Sequence, residues 1–195
     1  MARRRDISRD EILDAAQLLL QTRGCNGFSL RDLGNDVGLR TASLHHHFPA
    51  KADLIAAIVH RYRDRLNARM AAIEAETDSL TARVALIAAH FFPPAGADVL
   101  CVLGVMAVDA LTLPTGPVEE TRQLASNLLG WFARFASRAR TEGELPSGTD
   151  PEVFAGALLG AIEGAKILSR TASPAAAAQS LAFSMLKLTE MGHVA

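Results

Sequence analysis

The chain has 195 residues, of which 49% are hydrophobic and only 5% aromatic, and its net charge is −1. Its longest apolar run, residues 99–108, is far shorter than the about 20 residues that a membrane-spanning helix needs, and two cysteines are too few for a disulfide framework. These features exclude a membrane protein and a disulfide-stabilised secreted domain, and we expect a cytoplasmic protein with a core of Ala, Leu, Val and Ile.

The small net charge hides an asymmetry along the chain. Residues 1–65 hold 11 Lys and Arg against 8 Asp and Glu, whereas the remainder holds 9 against 13. A basic N-terminal part joined to an acidic body indicates a polyanionic partner for the basic part.

Helical periodicity runs through nearly the whole chain, and no segment alternates as a strand does, which predicts an all-α fold. The first helix begins after Ser8, which can form a capping box with Glu11, and it ends at Gly24. A second helix begins at Ser29 and is ended by Gly38.

A third, short helix covers about Thr41 to His47 and stops at Phe48-Pro49, and a long fourth helix, 51–76, follows. Two helices joined by a tight glycine turn, with a helix packed across them, are typical of a helix-turn-helix. The second helix of that motif enters the major groove of DNA. We predict that its buried side is formed by Leu33, Val37, Leu39, Leu44 and Phe48.

The segment SLRDLGNDVGLRTASLHHHFPAKADL resembles the DNA-binding segment of the tetracycline-repressor (TetR) family of transcriptional regulators, and the resemblance covers roughly residues 8–60. It implies an all-helical homodimer that binds a palindromic operator and releases it when a small molecule enters the C-terminal domain. Two positions depart from the family pattern: Arg40 replaces the usual Ser at the cap of the recognition helix, and His45 replaces the usual phosphate-contacting Tyr. Operator sequences of relatives therefore cannot be transferred to this chain.

Three consecutive histidines, His45 to His47, lie in the third helix. Successive helical residues point about 100° apart, so the three rings cannot converge on one ion, and no metal or other cofactor is expected. One interpretation is a polar helix face that happens to be rich in histidine. The surrounding helix-turn-helix favours the other, a surface that contacts double-stranded DNA and whose binding depends on pH.

The expected DNA contacts are the polar residues of the motif, the start of the fourth helix and an arginine-rich N-terminal arm. Helix N-termini attract phosphate through their unpaired N–H groups, and arginine can pair with guanine. The arm would lie along the DNA or in its minor groove, or is simply a solvated chain start. The set comprises Ser29, Arg31, Arg40, Thr41, Ser43, His45, His46, His47, Lys51, Arg3, Arg4 and Arg5.

The rest of the chain predicts five further helices, which gives about nine in all. We expect a DNA-binding domain over residues 1–50 and a ligand-binding and dimerisation domain over 51–195, with helix 51–76 as the connector. The five segments are about 79–92, 97–113, 117–145, 150–170 and 173–192.

Glycine recurs every four residues along the penultimate helix. Each interior glycine costs about 0.5–1 kcal/mol relative to alanine, and close approach of another helix would compensate. The resemblance implies that this helix belongs to the dimer interface, and the alternative is a close crossing within one subunit. The expected interface residues are Gly156, Gly160, Gly164, Ala157, Ala161, Leu181 and Met185.

The effector of the expected regulator cannot be identified from the sequence, but its pocket can be sought among buried polar, sulfur and aromatic residues of the C-terminal domain. The candidates are Met106, Trp131, Cys101, Val105, Asp109, His90, Phe91 and Phe135. An alternative is a regulator that senses oxidants or electrophiles through Cys101.

Two other classes of protein, an enzyme and an interaction protein that binds no DNA, agree less well with the sequence than a regulator does. A helical-bundle enzyme would need paired acids, a metal motif or a phosphate loop, and the sequence contains none of these. A helical interaction protein that binds no DNA would not need a basic N-terminal part. We therefore expect a DNA-binding regulator that is not an enzyme. The resemblance implies that it is a repressor and that its partners are operator DNA, a small molecule and a second copy of the chain.

Overall fold

The computed structural model describes residues 7–93 and 99–170. Within these ranges the chain forms eight α-helices and one short 3-10 helix and contains no strand, which confirms the all-α prediction. The α-helices are α1 (Arg9–Arg23), α2 (Leu30–Val37), α3 (Thr41–His47), α4 (Lys51–Glu76), α5 (Leu80–Phe91), α6 (Val102–Asp109), α7 (Thr115–Thr141) and α8 (Pro151–Leu168), and the 3-10 helix is Ala110–Thr112. The predicted ninth helix, 173–192, lies outside the described residues, as do Arg3, Arg4, Arg5, Leu181 and Met185. Across the described ranges, no helix combines the length and the apolar character needed to cross a membrane.

A capping box at its N-terminus and a glycine at its C-terminus define the bounds of α1. The Ser8 hydroxyl accepts a hydrogen bond from the Glu11 amide, and the Glu11 carboxylate accepts one from the Ser8 amide, so the predicted capping box is present. Gly24 ends the helix with a φ of +79°. Both ends of α1 are thus specified by residues next to them in the sequence.

The sixth helix is shorter than its apolar sequence predicts. It ends at Asp109, where the Thr112 hydroxyl donates a hydrogen bond of 2.8 Å to the Asp109 carbonyl oxygen, and a 3-10 turn follows. A side-chain donor thus satisfies a carbonyl that the next helical turn would otherwise have taken. The seventh helix begins at Thr115, earlier than expected, because Pro117 is accommodated within its first turn.

The chain divides into two compact units. The described parts of residues 1–63 and 102–122 form the first unit, and those of 64–101 and 123–195 form the second. The division falls inside α4, after Arg63, and assigns α6 to the same unit as the three N-terminal helices.

The core of the first unit is built from α1 and from the two helices that follow it. Leu33, Leu44 and Phe48 are almost completely buried, whereas Val37 and Leu39 are half-buried. Full burial of an aliphatic or aromatic side chain of this size contributes about 1.5–3 kcal/mol. The buried side of α3 packs against α2, and its other side is left exposed.

A buried arginine of the second unit, Arg83, forms hydrogen bonds with backbone carbonyl groups at the end of α4. Arg83 on α5 is 2% exposed, and its Nε donates a hydrogen bond of 2.7 Å to the carbonyl oxygen of Thr77. Its Nη2 lies 3.3 Å from the carbonyl oxygen of Glu74, in the last turn of α4, and its guanidinium lies over the ring of Phe135. Arg83 therefore satisfies carbonyl groups at the C-terminal end of α4 that have no partner within the helix.

Candidate nucleic-acid interface

The turn between α2 and α3 brings two stretches of backbone into close contact. The Leu39 amide donates a hydrogen bond of 2.8 Å to the carbonyl oxygen of Gly34, and a Cβ at Gly34 would lie 2.7 Å from the Leu39 carbonyl oxygen. Gly38 has a φ of +72°, in the left-handed region that favours glycine. Gly38 was expected from the sequence, but the need for glycine at position 34 was not.

α3 and its N-cap residue carry six of the nine predicted DNA-contacting residues that lie in the described ranges. Arg40 and the three histidines are exposed, Thr41 and Ser43 are half-buried, and Leu44 lies on the buried side. One ring nitrogen of His45, Nδ1, lies 3.0 Å from the carbonyl oxygen of Pro49. The rings of His46 and His47 meet edge to face with centroids 6.0 Å apart. One short helix thus presents a continuous surface of hydrogen-bonding side chains.

The residues at the start of α2 interact with one another. The Ser29 hydroxyl donates a hydrogen bond of 2.6 Å to the Asp32 carboxylate and accepts one from the Asp32 amide. These hydrogen bonds from Ser29 lower the pKa of Asp32 below its ordinary value. Arg31, next to this cap, is exposed.

Lys51 faces the turn that joins α1 to α2. Its Nζ donates hydrogen bonds to the carbonyl oxygens of Cys25 and Phe28 and lies 4.5 Å from the centroid of the Phe28 ring. Burial lowers the pKa of the Lys51 ammonium, although nearby negative groups oppose that shift. The sequence predicted a contact between Lys51 and phosphate, whereas here its ammonium has two backbone partners.

Three of the predicted effector-binding residues lie on α6, in the same unit as the helix-turn-helix. The Asp109 carboxylate accepts a hydrogen bond of 2.7 Å from the Cys25 amide, and Met106 Sδ lies 3.4 Å from Cys25 Sγ. Val105 is buried. Burial first, and then the charge of Asp109, raise the pKa of the Cys25 thiol to about 12. The C-terminal end of α6 is therefore attached to the turn that Lys51 also contacts.

The other five predicted effector-binding residues lie in the second unit. Trp131 stacks on Phe135 with ring centroids 5.8 Å apart, and His90 meets Phe91 edge to face at 5.0 Å. Burial, with a smaller contribution from Arg69, lowers the pKa of His90. The fifth residue, Cys101, is buried and is not part of a disulfide.

A buried carboxyl that the sequence did not single out lies beside Cys101. Both oxygens of Glu163 are buried, and neither has a hydrogen-bond partner of good geometry in the described part of the chain. Burial raises the pKa of Glu163, although the Cys101 thiol and the Lys166 ammonium act in the opposite direction. Lys166 is itself buried, with its Nζ 5.3 Å from the centroid of the Phe92 ring. The sequence signal was present as a Glu and a Lys three residues apart in the otherwise apolar C-terminal part of α8, residues 157–168.

The small residues of α8 form an open face. No atom outside the backbone of α8, among residues 7–93 and 99–170, lies within 4 Å of a Cβ placed at Gly156, Gly160 or Gly164. Ala157 and Ala161, beside them, are half-buried. Large apolar side chains continue the face at both ends of the helix: Val153 is 69% exposed, Ile167 47% and Leu168 60%.

The described ranges also hold no group of three or more His, Cys, Asp or Glu that would suit a metal ion.

Comparison with known proteins identifies relatives of the N-terminal segment and of the whole fold. Residues 12–58 match the family described as bacterial regulatory proteins, tetR family. The HTH-type transcriptional repressor KstR2 of Mycolicibacterium smegmatis is 31% identical over 61 residues, which are 31% of this chain. That match spans only 30% of the length of KstR2.

Two further relatives are similar over much more of the chain. The nucleoid occlusion factor SlmA of Photobacterium profundum is 26% identical over 166 residues, which cover 80% of each protein. The crystal structure of a TetR-family transcriptional regulator from Agrobacterium tumefaciens superposes with a TM-score of 0.85 at 28% identity, over 91% of this chain and 95% of that one. The fold similarity therefore extends well beyond the helix-turn-helix.

Proposed function

Because the chain belongs to the tetR family of bacterial regulatory proteins, we propose that it is a transcriptional repressor that binds operator DNA as a homodimer and releases it on binding a small molecule. The observation that carries this proposal is the outer face of α3. Exposed Arg40 and three exposed histidines lie on a helix whose other side is fixed by Leu44 and Phe48.

The DNA contacts fall into two kinds. Arg40 and the outer residues of α3 read base edges or phosphates, and exposed Arg31 contacts phosphate from α2. Lys51 instead positions the motif, because its ammonium already donates to two carbonyl groups of the α1–α2 turn. Arg3, Arg4 and Arg5 remain proposed as an arm that follows the DNA.

Dimerisation through α8 is supported by its open glycine face and by the exposed apolar side chains that continue that face. Three interior glycines lower the stability of an isolated helix by about 0.5–1 kcal/mol each, and a partner helix that packs closely against them offsets this cost. A two-fold dimer also matches a palindromic operator, in which two recognition helices enter successive major grooves.

The response to an effector is proposed to act through two helices that reach the DNA-binding residues. α4 begins directly after α3, and α6 is bonded through Asp109 to the Cys25 amide. An effector in the C-terminal domain that favours another position of either helix shifts the population away from the DNA-binding form. Cys101 directly precedes α6 in the chain, and Trp131 and Phe135 form a stacked pair in the second unit.

The division of roles between Arg40 and Lys51 gives a direct test of the interface. We would measure the affinity for a duplex from upstream of the gene over a range of salt concentrations, for the wild type and for Arg40→Gln and Lys51→Gln. Each lost phosphate contact lowers the slope of log K against log salt by about 0.9. Arg40→Gln should lose affinity, and a lower slope would identify its contact as one to phosphate. Lys51→Gln should lose affinity and thermal stability with an unchanged slope.

The opposite result for the lysine would refute this assignment. If Lys51→Gln lowers the salt slope and leaves thermal stability unchanged, then its ammonium contacts phosphate and does not hold the turn. If neither variant changes affinity for any duplex, the proposed interface is wrong.

Dimerisation is tested separately by the molecular mass in solution. Gly160→Leu places a large side chain on the open face of α8, and we expect it to convert a dimer into a monomer in light scattering coupled to gel filtration. Gly116→Leu, at an exposed helical glycine of α7, is the control and should remain dimeric. A wild-type protein that is monomeric at all concentrations would exclude the dimer.

A further inference from the structure

A groove of about 600 Å³ lies between the second half of α4 and the middle of α7, entirely within the second unit. Its walls are Asn67, Ala71 and Glu74 on α4 and Ser126, Asn127, Gly130, Trp131 and Arg134 on α7. This volume lies in the range of about 300–1,000 Å³ that is typical of small-molecule sites. Five of the eight wall residues carry polar or charged side chains, so the groove differs in character from the apolar core beneath it.

Gly130 lies in the middle of the groove, and none of the described residues packs against it so closely that only glycine would fit. A Cβ at Gly130 would meet only the Nη1 atom of Arg134, at an ordinary contact distance of 3.5 Å. Glycine is disfavoured inside a helix relative to alanine, and no backbone contact requires it here. Gly130 and the small Ala71 on the facing wall of α4 both add little side-chain bulk to the groove beside Trp131.

The two charged residues of the groove, Glu74 and Arg134, lie on its two facing helices. Arg138 on α7 pairs with Asp78, just beyond the C-terminal end of α4, at 2.5 Å. Glu74 and Arg134 are each about one helical turn before that pair in the sequence. The Arg134 guanidinium reaches back towards Gly130, where its Nη1 atom lies 3.5 Å from a Cβ placed on the glycine. Neither of the two charged side chains forms an ion pair with another residue in the described ranges, which leaves a carboxylate and a guanidinium available to a ligand.

The opposite end of the groove is neutral and is lined by amide and hydroxyl side chains, which can donate and accept hydrogen bonds. Asn67 is seven residues before Glu74, which corresponds to about 10 Å along the helix. Side chains of Asn127 and Ser126 lie at the equivalent positions of α7, and the indole of Trp131, 8% exposed and stacked on Phe135, lies between the two ends. The groove therefore offers a carboxylate towards one end, a guanidinium and an aromatic ring near the middle, and amide and hydroxyl groups towards the other end.

We propose that this groove binds α-amino acids or small amino-acid conjugates by their zwitterionic head group. The ligand carboxylate accepts paired N–H groups from the Arg134 guanidinium, its ammonium donates to Glu74, and its side chain extends over Trp131 towards the amides. A ligand that carries only a carboxylate would leave Glu74 without an opposite charge, and a ligand that carries only an ammonium would leave Arg134 without one. This inference rests on the proposed ligand response and names the chemical class of the effector.

The ligand contacts would reach the DNA-binding residues along one continuous helix. Asn67, Ala71 and Glu74 lie on α4, and the same helix begins at Lys51, which holds the α1–α2 turn. A molecule bound to both walls of the groove changes the free energy of whichever position of α4 it favours. This link makes the groove a regulatory site and not only a binding site.

Trp131 is the single tryptophan of the chain, so its fluorescence reports on the groove directly. We would titrate the purified protein with L-glutamine and L-phenylalanine, and with N-acetyl-L-glutamine and L-phenylalaninamide as counterparts that carry one charge. The zwitterions should give a saturable change in emission, and the single-charge counterparts should bind at least about tenfold more weakly. Arg134→Gln and Glu74→Gln should each weaken zwitterion binding by a similar factor.

Two leucine substitutions separate binding in the groove from a general effect on folding. Gly130→Leu fills the groove while it increases helix propensity, so this variant should remain folded and lose the fluorescence response. Gly116→Leu, on α7 outside the groove, should respond as the wild type does. The proposal is overturned if neither zwitterion gives a saturable change, or if Gly130→Leu responds like the wild type. Affinity for the upstream duplex, measured on the same preparations without any amino acid, shows independently whether the DNA-binding proposal stands.

Discussion

The glycine at position 34 is predicted to be essential for the geometry of the helix-turn-helix. A Cβ added there would lie 2.7 Å from the Leu39 carbonyl oxygen and 3.4 Å from a methyl group of Leu44. The first neighbour is a backbone atom in a tight turn, and it is held because the Leu39 amide donates to the Gly34 carbonyl oxygen. Gly34→Ala therefore forces α2 and α3 apart.

The expected change in the free energy of unfolding is the sum of two opposing effects. Overpacking at a buried site costs about 1–3 kcal/mol, whereas replacing a helical glycine by alanine gains about 0.5–1 kcal/mol. The central values of these two ranges differ by about 1 kcal/mol, so we expect Gly34→Ala to lower the free energy of unfolding by about that amount. Since Leu39 leads directly into α3, operator affinity should fall as well.

Urea unfolding at a fixed protein concentration measures this change, because the stability of a dimer depends on concentration. The matched control is Gly116→Ala, where a Cβ meets no described atom within 4 Å. That variant should be as stable as the wild type or slightly more stable. If Gly34→Ala unfolds at the same urea concentration as Gly116→Ala, the turn is able to relax and the argument from backbone contact is wrong.

Three further predictions concern buried groups. Arg83→Met should lower the free energy of unfolding by about 1–3 kcal/mol because it leaves part-buried carbonyl groups at the C-terminal end of α4 without their donor. Arg138→Met, at an exposed ion pair, should cost less than about 1 kcal/mol. Equal losses of the two variants in urea unfolding would contradict this. Glu163→Gln should raise the melting temperature near pH 8. Because burial raises the pKa of Glu163 in the folded state, the wild type should gain stability as pH falls towards the ordinary range of glutamate, and the variant should lack that part of the gain. The Cys25 thiol, with its pKa raised to about 12, should resist alkylation by iodoacetamide at pH 8 in the folded protein, and Asp109→Ala should increase its reactivity; labelling as fast as in urea would exclude the buried environment.

Local signals in the sequence were sufficient for the first helices. Ser8 and Glu11 are three residues apart, Gly38 directly follows α2, and the apolar spacing of Leu33 and Leu44 fixes which sides are buried. The exposure of the three histidines follows from the same helical periodicity. Each of these features depends on residues within one or two turns.

The features that the sequence could not predict depend on residues that are distant in the chain or on close backbone contacts. Asp109 is 84 residues from Cys25, and Lys51 is 26 residues from that same turn. The requirement at Gly34 is a distance to a carbonyl oxygen, which no residue pattern encodes. The groove beside Trp131 arises only when α4 and α7 are brought together.

The central claim, that the outer face of α3 reads a specific DNA sequence, is tested most directly by fluorescence anisotropy with a duplex from upstream of the gene and a scrambled duplex of equal composition. The wild type should bind the native duplex much more tightly than the scrambled one. A His46→Ala, His47→Ala double variant should retain its fold and lose most of that difference. If the double variant discriminates between the two duplexes as well as the wild type does, then these histidines do not read the operator and the proposed interface is contradicted.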